Sequence, residues 1–116
     1  MKTVNERAAQ GDVLFRRVPS VPKGATKIKA RGAKVVAHSE TGHHHVVEDP
    51  CAMFEVPGNP LVCYLQLGDG CDGLAVVHQR PWDTHETLKL LGKPGDVWEV
   101  RRQREWTPEG WQRVAD

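Results

Sequence analysis

Apolar residues along the chain come in short runs, each closed by glycine, proline, asparagine or aspartate, which is the rhythm of a β-rich domain. The runs are DVLFRRV (12–18), AKVVAH (33–38), HHHVVE (43–48), AMFEV (52–56), LVCYLQL (61–67), LAVVHQ (74–79), ETLKLL (86–91) and DVWEVRRQRE (96–105). Between them stand PSVPKGATKIKARG (19–32), EDP (48–50), PGNP (57–60), GDGCDG (68–73), RPWDT (80–84) and GKPGD (92–96), all rich in residues that tolerate tight turns or positive φ. Alternation in LVCYLQL sets Leu61, Cys63, Leu65 and Leu67 against Val62, Tyr64 and Gln66, which makes Cys63 a core residue. No segment sustains an apolar stripe at helical spacing for three turns. Only residues 2–10 and 108–115 leave room for short helices, the second because Pro108 suits a first helical position. The pattern predicts one all-β domain over 1–116, a small barrel or β-sandwich with at most short terminal helices, and 19–32 as its longest connection.

Composition adds limits. A chain of 116 residues can bury one sizeable core, and a hydrophobic fraction of 39% with 27% charged residues is that of a globular protein, so disorder is not expected. Sixteen Lys and Arg against fifteen Asp and Glu give a formal charge of +1, which does not advertise nucleic acid or membrane. The distribution is less even: Arg16, Arg17, Lys23, Lys27, Lys29, Arg31 and Lys34 follow one another with no acidic residue between them, and Arg101, Arg102 and Arg104 form a second basic run. Both read first as solvated segments and second as a phosphate-facing patch. Cys51, Cys63 and Cys71 are odd in number and lack C-x-x-C spacing, which disfavours a disulfide framework. With no run of signal-peptide or membrane-span length, a cytoplasmic location is expected.

The chemistry concentrates in HSETGHHHVVED (38–49), which holds four of six histidines. Imidazole binds metals and moves protons near neutral pH. On a strand, His43 and His45 project together while His44 projects oppositely with Val46 and Glu48, so H-x-H forms a two-nitrogen clamp. A third ligand must come from another strand, and His85, beside a turn at the mouth of ETLKLL, is the choice over His78, which ends an apolar alternation and is expected to face the core or cap its strand. A site of His43, His45 and His85, helped by Glu48, would leave a coordination position open for a substrate. Glu48 and Glu86 are the candidate catalytic bases, and Zn, Fe, Ni and Mn all suit the donors. The competing readings are a solvent-exposed cluster and a proton-handling site without metal.

TGHHHVVED resembles the first motif of the cupin superfamily, in which H-x-H is followed by a Glu inside a small β-barrel, and PGDVWEV resembles the P-G-D-plus-strand phrase of that superfamily. Two residues separate His45 from Glu48, and no histidine follows PGDVWEV. The chain is also similar, nearly end to end, to small uncharacterised bacterial and phage β-proteins that combine a QGDVL strand, a TGHxH box, a later His before an L-x-L strand and a tail like RRQREWTPEGW. The resemblance implies that His43, His45 and His85 recur together and carries no activity with it.

GDGCDG lacks the spaced oxygens of a Ca²⁺ loop and reads as a tight hairpin. Trp98 alternates with Val100 as a core residue does, and Trp106 and Trp111 flank the Thr-Pro turn. The expected function is a small cupin-like metal-binding domain acting on an unknown small-molecule substrate. The other classes are a nucleic-acid-binding module using 16–34 and the Arg/Trp tail, with weak and salt-sensitive association, and an interaction protein that forms a homo-oligomer through an open sheet edge.

Overall fold

The computed structural model describes residues 2–29, 34–37, 44–78, 87–102, 104–107 and 110–113, the last two stretches as backbone. Every regular element among them is a strand: β1 (Lys2–Val4), β2 (Arg7–Gln10), β3 (Val13–Val18), β4 (Thr26–Ile28), β5 (Lys34–Ala37), β6 (His45–Val47), β7 (Cys51–Val56), β8 (Asn59–Leu67), β9 (Gly73–His78), β10 (Leu88–Leu91), β11 (Val97–Arg102), β12 (Arg104–Thr107) and β13 (Gly110–Arg113). They form a five-stranded sheet in the order β1-β10-β9-β6-β5, a six-stranded sheet in the order β2-β3-β11-β8-β7-β4, and the hairpin β12-β13. The all-β sandwich or barrel-like class read from the sequence is the observed one. No described helix is long and apolar enough to cross a membrane.

The two sheets meet over one apolar core. Phe15, Leu65 and Trp98 come from the six-stranded sheet and Val47, Leu74, Val76 and Leu90 from the five-stranded one, all within a percent or so of full burial. Side-chain hydrogen bonds to backbone cross the same gap. Trp98 Nε1 donates to the Leu91 carbonyl at 3.1 Å, and Cys63 Sγ donates to the Val36 carbonyl at 3.4 Å. Burial pushes the Cys63 thiol up to about 12, so it stays protonated as a core donor.

Four local readings are corrected by the observed strands. Residues 2–10, compatible with a helix, are β1 and β2: β1 runs parallel to β10, and β2 folds back on β3 through a turn in which Gly11 takes φ 62. Gly110–Arg113, inside the other stretch left open to a helix, pairs with β12 instead. Within the expected 19–32 connection, Thr26–Ile28 adds to the sheet edge beside Met53–Glu55. The predicted run 96–105 is also divided, as β11 ends at Arg102 and β12 begins at Arg104.

Alternation in β8 is as predicted, yet its outward positions are covered too. Val62 and Tyr64 join Val97 in a second cluster packed by Val18, Val21, Phe54 and Val56. On this outer face Glu99 is buried, accepting from the Tyr64 hydroxyl at 3.1 Å and from Arg101 Nε at 3.3 Å. Burial by itself would raise the Glu99 carboxyl, but the bonds from Arg101 and Tyr64 and the charges of Arg101 and Arg16 outweigh it and hold Glu99 below the usual carboxylate range.

A carboxyl depressed in the folded state contributes stability that is present above its unfolded value and lost as pH falls through its folded value. Tyr64→Phe removes one of the bonds that depress Glu99, so the acid limb of denaturant stability should move to higher pH while stability near neutrality falls by about 1 kcal/mol. An acid limb unchanged from the parent would show that Tyr64 does not tune this carboxylate.

Candidate functional site

At one end of the five-stranded sheet His45 and His78 are direct cross-strand partners. Both are buried, His45 completely. Their rings stack with centroids 4.0 Å apart and planes 11° from parallel. His78 thus faces inward, as its place in the LAVVHQ alternation predicted. Val46 and Glu48 line an outer groove with Asp49, Ala75 and Val77, so Glu48 lies on the opposite side of the sheet from His45. Asp49 accepts from the Ala75 amide at 2.7 Å, which fixes the chain where it leaves β6.

Gln10 reaches His45 from the other sheet. Its Nε2 donates to the Val76 carbonyl at 3.0 Å, and its Oε1 stands 2.7 Å from His45 Nδ1. The two contacts determine one another. Turning the amide over would set its oxygen against the Val76 carbonyl, acceptor against acceptor, so Oε1 must face the ring. Nδ1 is therefore the protonated nitrogen that donates, and in the neutral ring Nε2 carries the lone pair. Metal-binding histidines are characteristically held this way, with the far nitrogen donating to a fixed oxygen.

The stack limits what the pair can do together. Imidazole lone pairs lie in the ring plane, and two nearly parallel rings with centroids 4.0 Å apart do not aim at a common point. Held like this, His78 is a wall against which His45 is oriented, and a shared ion would need one ring to turn. Among the described residues no three His, Cys, Asp or Glu side chains are grouped to hold a metal. His43, His85 and Glu86 lie outside the described residues. The strand ends still bear on them. The chain leaves β5 at Ala37, the cross-strand partner of His45, and leaves β9 at His78, so segments 38–43 and 79–86 both depart from the sheet end that holds the two rings.

The same end contains a feature that the sequence pointed to only obscurely. Arg102 Nε and Nη2 both donate to Asp12 Oδ2, at 3.3 and 2.8 Å, and both side chains are buried. Val13 is the register partner of Gln10 on one side and of Arg102 on the other, which sets this ion pair one strand from the Gln10 amide. Sequence proximity alone groups Arg102 with Arg101 and Arg104 as a solvated basic run, and the structure buries it instead. Strand parity in VWEVRR, which puts Arg102 on the side of Trp98 and Val100, was the available signal. Beside it is a cavity of about 330 Å³ lined by Val36, Ala37, Met53, Leu61, Cys63 and Arg102 among others, near the lower end of the range for small-molecule pockets.

A family model described as Domain of unknown function (DUF8820) matches residues 9–103. The chain belongs to this family. The DUF8820 match takes in Gln10, Asp12, His45, His78 and Arg102 together, along with both segments that depart from the histidine end. No curated protein and no solved structure matches the chain.

The amide and ring should be energetically coupled. Gln10→Leu strands a buried N–H on His45 and a buried carbonyl on Val76, which costs about 1–3 kcal/mol per group. In a double-mutant cycle with His45→Phe, denaturant unfolding should give a coupling of about 1–2 kcal/mol. Additive losses would show that the contact orients nothing.

Proposed function

We propose that this DUF8820 domain is a cupin-like metal-binding module in which His45, with His43 and His85, holds one divalent transition ion at the histidine end of the sandwich. The observation that carries the reading is the Gln10–His45 hydrogen bond. It leaves Nε2 as the lone-pair nitrogen on a buried, immobilised ring, the arrangement that metal-binding histidines use. Support also comes from the departure of segments 38–43 and 79–86 from the same sheet end, since these segments contain the other two histidines. The donors suit Zn, Fe, Ni or Mn.

A bound ion of this kind supplies Lewis acidity and lowers the pKa of a coordinated water. The chain's own contribution is orientation and room: Gln10 sets the tautomer of His45, His78 fixes its ring plane, and the cavity beside Arg102 accommodates a small-molecule substrate. Glu86, next to His85 in the chain, is the candidate base, whereas Glu48 faces the outer groove. Three free cysteines are in keeping with a reducing, cytoplasmic setting.

Elemental analysis of untagged protein should find about one transition ion per chain, and metal at a hundredfold excess over its dissociation constant should add about 2.7 kcal/mol of stability. His45→Ala, His43→Ala and His85→Ala should each remove most of the metal-induced rise in thermal midpoint, while His44→Ala should leave most of it. His78→Ala should lower the metal-free midpoint and leave the increment intact. An increment carried by His78 and not by His85 would assign the third ligand to β9, and no increment in the parent would remove the metal reading.

A further inference from the structure

On the outer face of the six-stranded sheet, register aligns Arg7 of β2 with Arg16 of β3, Arg16 with Glu99 of β11, and Glu99 with Tyr64 of β8. The next row toward the histidine end runs Ala9, Leu14, Arg101 and Val62. Three guanidinium groups therefore project from adjoining positions of three neighbouring strands. One carboxylate serves them. Glu99 is shared by Arg16 at 3.4 Å and Arg101 at 3.3 Å, and it also accepts from Tyr64. Arg7 has no ion-pair partner among the described residues, so the patch carries two positive charges in excess.

Like charges directly opposite on paired strands destabilise a sheet. The Arg7–Arg16 pair has that placement, with Arg7 exposed and the Arg16 side chain 63% exposed. An anion bridging the two would relieve the repulsion. Beside them Leu14 is 37% exposed and, with Asn59, Val62 and Arg101, lines a shallow open groove. We propose that this face binds single-stranded nucleic acid, with Arg7, Arg16 and Arg101 on consecutive phosphates and the Leu14 strip under a sugar or base.

Charge and shape together select this partner. Guanidinium pairs with phosphate in a fixed fork and also stacks on bases. The groove is open and runs across strands, which suits an extended chain better than the buried anchor side chain of a folded protein. The face is built of strands and presents no helix to a duplex groove. The binding is independent of the histidine end, because these arginines point away from the core that His45 enters.

The test uses the full chain and a fluorescent mixed-sequence RNA of about a dozen nucleotides, long enough to span the three arginines and the groove beside them. Anisotropy titrations at several salt concentrations should give log K falling linearly with log salt, with a slope of about −1.4 to −2.1 for two to three phosphates. Arg7→Gln should reduce the slope by about 0.7 while leaving the thermal midpoint equal or higher, and Arg7→Lys should restore most of the slope. Three results would each overturn the proposal: no binding at low salt, an unchanged slope in Arg7→Gln, which assigns the binding to the other basic segments, or competition by polyglutamate as strong as that by unlabelled RNA of equal charge, which assigns the face to an acidic protein.

Discussion

The side chain of Gln10 ties the edge strand of one sheet to the interior of the other. It is nearly fully buried, and it can be so because both ends of its amide are satisfied, one by the Val76 carbonyl and the other by His45. A buried amide without such partners would cost several kcal/mol. With them, it fixes the spacing of the sheets at the histidine end and decides which nitrogen of His45 bears the proton. The bonds from Trp98 and Cys63 serve the first purpose elsewhere along the sandwich, whereas Gln10 also joins the packing of the fold to the chemistry of a ring.

The charged groups divide by strand parity. Arg102 and Asp12 are buried together near Gln10 and neutralise one another, so that removing either partner would leave a buried charge. Arg7, Arg16 and Arg101 face outward, where water and salt screen them and where one carboxylate, Glu99, is shared by Arg16 and Arg101. Arg101 and Arg102 are adjacent in sequence and opposite in role, because successive strand residues point to opposite faces of the sheet.

Legibility from sequence followed the same logic. Long apolar strands such as LVCYLQL and LAVVHQ announced both their existence and their facing, and the inward turn of His78 came with them. Lys2–Val4, Arg7–Gln10 and Thr26–Ile28 did not, because these strands of three or four residues lack an apolar alternation long enough to read, and the first and last are held by backbone pairing to a neighbour far away in the chain. The stacking of His45 on His78 depends on the register between β6 and β9, and the contact with Gln10 depends on which strand of the second sheet lies opposite. Neither is local information. What the sequence did show was that four histidines crowd eight positions, which no packing need requires.

The central claim is that Gln10 holds His45 with its proton on Nδ1 and its lone pair on Nε2. Nitrogen-15 NMR of the histidine side chains in metal-free protein measures this directly. The account predicts that the His45 Nδ1 resonance is that of a protonated, hydrogen-bonded nitrogen, that Nε2 is unprotonated, and that Gln10→Leu abolishes the preference. A His45 ring with its proton on Nε2, or one whose tautomer is indifferent to Gln10, would contradict it.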